Sequence, residues 1–434
     1  MENKRLTRRS FLKGVIGGVS SLTGLAAWPK LAVAQPAIKI GTSLPLTGVF
    51  AIAGRKHKDG YLFWSQFLNK DKKRWLLGRP IELIISDNRS NTEAAVAQFE
   101  RFINLDKVDL LFGTFSSKLT FPTSAVAEKN KMVYPVPSGG ALKIWKRGFQ
   151  HIFYFQQNAA EYIGLAPVGA VVGYKERGLI KAQDFPKTAG VVHADDFFAN
   201  AIAAGLVGER GIAPGFLAQA GIKLVFRQKW PEGFTDWITR ANSITAKKPD
   251  FLLAGTASPD EAIQLVRAFQ TVGYNPKGLY MSQGTQVEFK EALGDAANGI
   301  MIHSAWHPAA PFVGLLANEK YSNRQFIAGF RKQFRRDPDE DEAIPLAVCQ
   351  GMEQAVRATR TTDNTKLQSW LASRTKEKPV RTVLGKFHWD KRGLPIGRPH
   401  LLLQWHKGDL DFVWPLGEFP GTKDLLWPKP AWPS

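Results

Sequence analysis

Small residues follow two consecutive predicted strands, at positions where they could bind an anion. Strands are predicted over residues 109–112 and 132–136, with a helix through Lys129 between them. Because the carboxyl ends of parallel strands meet at one edge of a sheet, the residues after them should lie together. Hydroxyl groups and free backbone N–H groups beside a helix N-terminus suit a carboxylate, although such residues also serve as ordinary helix caps. The candidates are Phe115, Ser116, Ser117, Ser138, Gly139 and Gly140.

Strands alternate with helices in the elements that must position these residues. Apolar runs at residues 37–41 and 81–85 precede the 109–112 strand, and helical patterns of ten to fifteen residues separate them. The same alternation restarts at residues 188–193 and continues to residues 300–302. Such alternation predicts parallel, doubly wound sheets. The fold class is therefore α/β, with two lobes that each have their own sheet.

The first residues predict an exported protein. Residues 7–13, TRRSFLK, match a twin-arginine export signature. A mildly apolar, glycine-rich run follows at residues 14–27, and Ala32-Val33-Ala34 supplies small residues for cleavage before Gln35. No later stretch reaches the roughly 18 apolar residues of a membrane span. We therefore expect a signal peptide over residues 1–34 and a soluble product outside the cytoplasm.

Charge and cysteine content exclude several classes of protein. The net charge is +20; residues 1–34 hold six Lys/Arg and one Glu, which leaves +15 for the remainder. The basic residues are scattered without a nucleic-acid motif, so no nucleic-acid partner is expected. Acidic residues are interspersed, as in residues 337–342, and are interpreted as surface charge. Cys349 is the single cysteine, so no internal disulfide can form, and its apolar surroundings predict a core residue rather than a nucleophile.

Short motifs spread over residues 37–415 resemble those of one family. In order and spacing, the chain is similar to extracytoplasmic solute-binding proteins of the leucine/isoleucine/valine-binding type. The resemblance implies two α/β lobes joined by three crossings, with the ligand in the cleft between them. The motifs are IKIG at residues 38–41, LTG at 46–48, DLLFG at 109–113 with Ser116-Ser117, FTDW at 234–237, KPD at 248–250, GDAANG at 294–299 and GKFHWDKRG at 385–393.

The family implies a role in import. Its members are binding subunits of branched-chain amino-acid ABC importers, so the expected partners are a small solute, a membrane permease and an ATPase. A periplasmic monomer is expected, without a cofactor and without enzymatic activity. The predicted division is a signal peptide at 1–34, an N-terminal lobe at 36–157 plus 304–385, a C-terminal lobe at 158–303 plus 386–415, and a Trp/Pro-rich tail at 416–434.

The resemblance also assigns ligand-binding roles. In amino-acid binders the loops that here contain Ser116 and Ser138 hold the α-carboxylate, and an aromatic residue from the second lobe, by position Phe198, covers the ligand. The loop after Met281 often supplies an acid for the α-ammonium, but here it contains Gln283 and no carboxylate before Glu288. A buried ammonium without a carboxylate would lose a charge-assisted bond of about 1.5–3 kcal/mol. We therefore expect Asp195 or Asp196 to replace it, although both could equally be surface or helix-cap charges, and Phe198 a core residue.

Several alternatives follow from these departures. Without an ammonium partner, the ligand would be an aromatic or aliphatic acid without an amine, or urea or a short amide. The chain could also be a ligand-sensing module that acts on a regulator, or a hydrolase, although no catalytic motif is visible. His303 and His307 have the i, i+4 spacing of metal ligands, but Pro308 follows and no Cys or Glu lies nearby, so no metal site is expected. The tail should lie extended over a lobe or contact a partner.

Overall fold

The computed structural model describes residues 36–417 and 419–433. The predicted twin-arginine signal peptide at residues 1–34 lies outside the described residues. None of the helices in the described ranges is both long enough and apolar enough to cross a membrane.

The first lobe contains a parallel sheet in the order β2-β1-β3, beside which β4 and β5 form a parallel pair. The backbone N–H of Gly113 donates to the carbonyl of Pro135 at 3.1 Å, which places β4 next to the end of β3. The elements are β1 (Ile38–Leu44), α1 (Ala51–Asn69), β2 (Ile81–Asp87), α2 (Thr92–Asn104), β3 (Leu110–Leu111), α3 (Ser117–Lys129), β4 (Tyr134–Val136), α4 (Leu142–Trp145) and β5 (Ile152–Tyr154).

The second lobe contains a larger sheet that begins with β6, after α5. A 3₁₀ turn at Ala160–Tyr162 precedes α5. The elements are α5 (Leu165–Glu176), β6 (Thr188–Ala194), α6 (Phe197–Val207), α7 (Phe216–Gln219), β7 (Lys223–Trp230), α8 (Trp237–Thr245), β8 (Phe251–Gly255), α9 (Pro259–Thr271), β9 (Gly278–Met281), α10 (Val287–Leu293) and β10 (Ile300–Ser304).

The C-terminal third returns to the first lobe and then to the second. Its elements are β11 (Val313–Leu316), β12 (Glu319–Ser322), α11 (Asn323–Phe334), α12 (Glu340–Thr359), α13 (Asn364–Ala372), β13 (Val380–Thr382), β14 (Gly385–Phe387), β15 (Leu401–His406) and β16 (Asp409–Trp414). The chain thus crosses between the lobes three times, as predicted: after β5, after β10 and after β14. Phe387 and Trp389 pack in the first-lobe core; the residue boundaries of the lobes stay a prediction.

The completed second sheet has the order β16-β15-β10-β9-β8-β6-β7. Strands β6 to β10 are parallel to one another, whereas β15 is antiparallel to both β10 and β16. The sequence did not predict β16, which ends at Trp414, just before the predicted Trp/Pro-rich tail at 416–434. Pairing with β15 over a short turn at Lys407-Gly408 explains why this edge is not parallel.

The long helices α1 and α12 form the centre of the first-lobe core. Both bury large apolar side chains on the face toward the sheet, among them Trp64 on α1 and Met352 on α12. The indole N–H of Trp64 donates to the buried carboxylate of Glu353 at 2.9 Å, which ties the two helices together. This contact holds the middle of α12 against α1, and the first turn of α12 lies beside the cleft between the lobes.

The C-terminal segment, residues 419–433, lies over the second lobe, in agreement with one of the two alternatives predicted for the tail. The indole N–H of Trp427 donates to the carbonyl of Asp184 at 2.9 Å, and that of Trp432 donates to the carbonyl of Tyr274 at 2.8 Å. The Trp427 ring packs against Phe251. Proline prevents helix formation along the segment, and the tryptophans anchor it.

Candidate functional site

A narrow cavity lies between the two lobes at the carboxyl ends of their parallel strands. Its volume is about 30 Å³, so a solute of amino-acid size enters only if the surrounding side chains move apart. Both lobes and the first turn of α12 contribute to it. The lining residues are Phe115, Ser116, Ser117, Ser138, Gly139, Tyr154, Gln156, Phe198, Ala257, Gln283, His303, Glu340, Asp341 and Ile344.

The first wall of the cavity is the start of α3, together with the loop after β4. Ser116 is the N-cap residue of α3, but its hydroxyl makes no capping bond and no other hydrogen bond among the described residues, although the side chain is buried. The first backbone N–H groups of α3 have no partner within the helix. Thr120 fixes the neighbouring loop by donating its hydroxyl to the carbonyl of Ser138 at 2.7 Å. This wall therefore presents hydrogen-bond donors to the cavity.

Seven of the nine predicted site residues line this one cavity; they are Phe115, Ser116, Ser117, Ser138, Gly139, Phe198 and Gln283. Gly140 lies behind the wall, where a Cβ atom would come within 2.9 Å of the Tyr154 hydroxyl. Its carbonyl accepts from the backbone N–H of Ala160 at 2.8 Å. Gly140 thus supports the loop and does not reach the cavity.

The structure does not bring Asp195 to the cavity. Its carboxylate accepts from Lys229 Nζ at 2.8 Å and from Asn200 Nδ2 at 3.0 Å, and the side chain is partly exposed. Asp196, the other predicted ammonium partner, caps α6 by accepting from the backbone N–H groups of Phe198 and Ala199 at 2.7 and 2.9 Å. Burial raises the pKa of Asp196 to about 6. Each aspartate is therefore occupied by a local partner.

Tyr154 and Gln156 line the cavity and were not predicted. Tyr154 is the last residue of β5, and Gln156 follows that strand in the same way that Ser138 follows β4. Gln156 could therefore have been found by applying the strand-end argument to β5. The hydroxyl of Tyr154 donates to Gln156 Oε1 at 3.1 Å, and Gln156 Nε2 donates to Ser138 Oγ at 3.2 Å and to the carbonyl of Pro137 at 2.7 Å. This chain of hydrogen bonds orients the Ser138 hydroxyl.

Glu340 and Asp341 are the most important residues that the sequence analysis missed. The acids of residues 337–342 were interpreted as surface charge, and that interpretation is wrong for Glu340, Asp341 and Glu342, which are buried. Asp339 caps α12 and forms a capping box with Glu342, so the chain enters the helix at Glu340. A run of acids at a helix N-terminus was a signal for the helix start, but not for burial.

The carboxylate of Glu340 is held from two sides. Glu340 Oε2 accepts from the hydroxyl of Ser304 at 2.8 Å and from the backbone N–H of Ala305 at 2.9 Å, while Oε1 accepts from the hydroxyl of Thr285 at 3.0 Å. Burial raises the pKa of Glu340 to about 7, although these hydrogen bonds act in the opposite direction. Glu340 therefore joins the second crossing and the second lobe to α12.

Asp341 lies between the second lobe and α1. Gln286 Nε2 donates to Asp341 Oδ2 at 2.8 Å. Asp341 Oδ1 lies 3.7 Å from Nδ1 of His57, whose Nε2 is 3.1 Å from Ser138 Oγ. Burial, and then the neighbouring charges of Asp339 and Glu340, raise the pKa of Asp341 well above its ordinary value. Burial lowers the pKa of His57 to about 4, so its ring is neutral and does not compensate the aspartate.

A buried lysine compensates the remaining acids of α12. Lys56 Nζ lies 2.8 Å from Asp339, 3.2 Å from Glu288 and 3.9 Å from Glu342. Burial alone would lower the pKa of Lys56, but the carboxylates of Asp339, Glu342 and Glu288 outweigh it and raise the pKa. Glu288, the first acid after Met281, is thus directed to Lys56. The Lys56–Glu288 pair also links the two lobes.

Apolar contacts close the cleft beside the polar groups. Phe115 and Leu119 of the first lobe pack in one buried cluster with Ala257 of the second, and Phe198 packs against it. Phe198 also lies 6.2 Å, centroid to centroid, from the His303 ring. These contacts give the closed arrangement of the lobes an apolar stabilisation. Phe198 therefore has a place in the cavity wall, beside the first-lobe aromatic residue.

His303 and His307 point to different partners. Nδ1 of His303 lies 3.0 Å from the Tyr280 hydroxyl, and Nε2 of His307 lies 2.9 Å from the carbonyl of Leu410. Among the described residues no group of three or more His, Cys, Asp or Glu side chains is arranged to hold a metal ion. The i, i+4 spacing arises at the end of β10 and not on a helix, so the two rings do not converge.

Comparison with known proteins places this arrangement among related folds. A family model described as periplasmic binding protein matches residues 37–409. An amino acid binding protein of Pseudomonas aeruginosa is 24% identical over 403 residues, covering 92% of this chain and 97% of that protein.

Two solved structures share the fold. The substrate-binding protein LivJ of Streptococcus pneumoniae, in complex with isoleucine, has a TM-score of 0.71 and 18% identity and covers 87% of this chain and 100% of that one. A solute-binding protein of R. palustris, in complex with benzoate, has a TM-score of 0.69 and 19% identity, with coverage of 91% and 98%.

Proposed function

Because the chain belongs to the periplasmic binding protein family, we propose that it is the extracytoplasmic solute-binding subunit of an ABC importer. Its solute is an amino acid, branched-chain or related. The amino acid binding protein and the isoleucine complex among its relatives support this class of solute. The protein acts as a monomer that delivers its solute to a permease and an ATPase, and it is exported through the twin-arginine signal at residues 1–34.

The observation that carries the proposal is the composition of the interlobe cavity. One wall presents donors, the Ser116 hydroxyl and the start of α3, and the other presents the acceptors Glu340 and Asp341. The Ser138 hydroxyl beside them donates to Nε2 of the neutral His57 ring, whose Nδ1 donates to the carbonyl of Ala53. A zwitterion needs both kinds of group, since its carboxylate accepts and its ammonium donates. Phe115 and Phe198 supply apolar contact for the remainder of the solute. Phe115, Ser116, Ser117, Ser138, Gly139, Phe198 and Gln283 are thus proposed as ligand-binding residues.

The mechanism is closure of the two lobes around the solute. Several contacts depend on closure: Lys118 Nζ to Glu232 at 2.6 Å, Lys56 to Glu288, and the hydrogen bond from Thr285 to Glu340. The solute enters when the lobes separate, binds the first lobe, and favours closure through contacts that exist only in the closed state. Closure then gives the permease a surface that distinguishes the loaded protein from the free one.

A panel of solutes tests the proposal. The protein purified without residues 1–34 is titrated with L-amino acids, benzoate and urea while thermal unfolding and heat of binding are recorded. We expect at least one L-amino acid to raise the melting temperature, because binding to the folded state adds about 2.7 kcal/mol at one hundred times Kd. The corresponding D-amino acid is the matched control. If only benzoate or urea binds, the assignment to amino acids is wrong; if no solute binds, the solute-binding role is wrong.

A further inference from the structure

Two neighbouring carboxylates line a cavity whose lining includes no lysine or arginine. Glu340 and Asp341 are the first two residues of α12, and both are more than nine-tenths buried. None of the residues that line the cavity is a lysine or an arginine. The nearest buried cation, Lys56, is engaged by Asp339, Glu288 and Glu342. The helix N-terminus compensates only part of a full negative charge. Among the described residues, no cationic side chain therefore compensates the carboxylates of Glu340 and Asp341 on the side that faces the cavity.

A second observation indicates that this cavity receives a polar solute. The hydroxyl of Ser116 is nine-tenths buried, lines the same cavity and has no hydrogen-bond partner among the described residues. Buried polar groups normally have partners, so an open one facing a cavity marks a contact that a solute completes. Ser138 and Asp341 lie on opposite sides of the His57 ring, since one ring nitrogen is 3.1 Å from Ser138 Oγ and the other is 3.7 Å from Asp341 Oδ1. The Ser116 hydroxyl and the two carboxylates thus belong to residues that line a single cavity.

The loop after Met281 supplies hydrogen-bond donors to Glu340 and Asp341 and no carboxylate of its own. It has no carboxylate before Glu288, but Thr285 donates to Glu340 at 3.0 Å and Gln286 donates to Asp341 at 2.8 Å. Gln286 also donates to Gln283 Oε1 at 3.1 Å, which places Gln283 beside the pair. The second lobe therefore orients carboxylates that belong to α12, and it does so when the lobes are closed.

From this geometry we propose that Glu340 and Asp341 form the subsite for a protonated amine of the solute. The inference deepens the proposed solute-binding function and rests on it. Solutes with an amine should bind, and otherwise identical acids without one should bind weakly or not at all. Thr285 and Gln286 are positioning residues for this subsite, because they touch the carboxylates and hold them in place.

Proton exchange should accompany binding, because an ammonium favours the charged form of both acids. With the pKa of Glu340 raised by burial to about 7, part of the free protein carries a proton there at neutral pH. Amine binding then displaces it, so affinity rises as pH rises through about 7. The other titratable or charged groups around the pair are Asp339, Glu342, Lys56, His57, Glu288, Tyr154, Tyr280 and His303.

Matched pairs of solutes test the subsite. L-leucine is compared with 4-methylpentanoate, and L-phenylalanine with 3-phenylpropanoate, by calorimetry on the native protein and on Asp341→Asn, Glu340→Gln and the control Asp195→Asn. We expect the native protein and Asp195→Asn to prefer the amine by tenfold or more, and the preference to shrink about tenfold in Asp341→Asn. If these carboxylates only hold the lobes together, each substitution should reduce the affinity for the amino acid and for its amine-free analogue by the same factor. That result would overturn the inference.

A second measurement uses only the native protein, so it can be made even if Glu340→Gln does not fold. Calorimetry in two buffers of different ionisation enthalpy at pH 7 counts the protons exchanged on binding. Net release with the amino acid, and none with its amine-free analogue, supports the subsite. Preference for the analogue overturns it while the solute-binding function stands. If no member of any pair binds, the proposed function fails, and the inference fails with it.

Discussion

The strand-end loops of the first lobe and the start of α12 line the same cavity but are built in opposite ways. Ser116 has no internal hydrogen-bond partner, whereas Glu340 accepts three hydrogen bonds and the acids beside it are paired with Lys56. Removing a group that has no partner leaves the folded state nearly unchanged, while breaking a buried charge network is costly. Substitutions in the loops should therefore change affinity, and those around α12 should change stability as well.

Of the substitutions considered, Lys56→Met should reduce stability most. It tests whether the buried charges at the start of α12 stabilise the fold. Without the ammonium, the carboxylates of Asp339 and Glu288 lose their buried cation, whereas Glu342 keeps Arg336, whose Nη1 lies 2.6 Å from its Oε1. We expect the free energy of unfolding to fall by about 3–5 kcal/mol, measured by urea denaturation followed by tryptophan fluorescence.

The control for Lys56→Met is Arg331→Met. The Arg331–Asp337 pair has side chains that are 62% and 58% exposed, and exposed pairs contribute little. We expect no measurable change in its stability. Similar stability of the two variants would show that the Lys56 network does not hold α12 in place.

Glu340→Gln should change how stability depends on pH. Burial raises the pKa of Glu340 from 4.5 to about 7, so between these values the folded state keeps a proton that the unfolded chain releases. The native protein therefore loses stability as pH rises through this window, by about 1–3 kcal/mol from this residue. The glutamine variant has no such loss, so its stability relative to the native protein should increase from pH 5 to pH 7.5.

The pH series is measured by denaturation of both proteins in the same buffers. Titrating groups remote from Glu340 contribute equally to both and cancel in the difference. Asp341 does not, because the charge of Glu340 raises the pKa of Asp341 in the native protein only. A difference that stays constant with pH would mean that Glu340 is charged throughout, held by the hydroxyl and N–H donors around it.

Ser116→Ala should have the smallest effect on stability. It tests whether the strand-end loops of the first lobe contribute to affinity alone. We expect about tenfold weaker binding of the solute identified in the panel, because a hydrogen bond to its carboxylate is lost. The free energy of unfolding should not change, since the hydroxyl has no partner in the protein.

Ser124→Ala on the same helix is the matched control for Ser116→Ala. Its hydroxyl donates to the carbonyl of Thr120 at 2.6 Å, and Ser124 does not line the cavity. Affinity should be unchanged and stability reduced. If the two serine variants bind the solute with equal affinity, Ser116 is not a ligand-binding residue.

Sequence reasoning succeeded where a local pattern and sheet topology agree. The residues at the ends of β3 and β4, Ser116 and Ser138, meet in the cavity because parallel strands end at one edge. It failed for Asp195, whose carboxylate is occupied by Lys229, and for β16, whose pairing with β15 was hidden in a Trp/Pro-rich stretch. Both failures depend on a partner that no local pattern identifies.

The sequence by itself determined the α/β class, the two lobes and the loops that carry hydroxyl donors, because hydrophobic periodicity and strand order are local properties. Only the tertiary structure decided that Glu340 and Asp341 are buried in the cavity. Their burial results from long-range contacts, the packing of α12 on α1 and the hydrogen bonds from Thr285 and Gln286 of the other lobe. A run of acids at a helix start looks the same in sequence whether it faces water or a ligand, and the surrounding fold makes the difference.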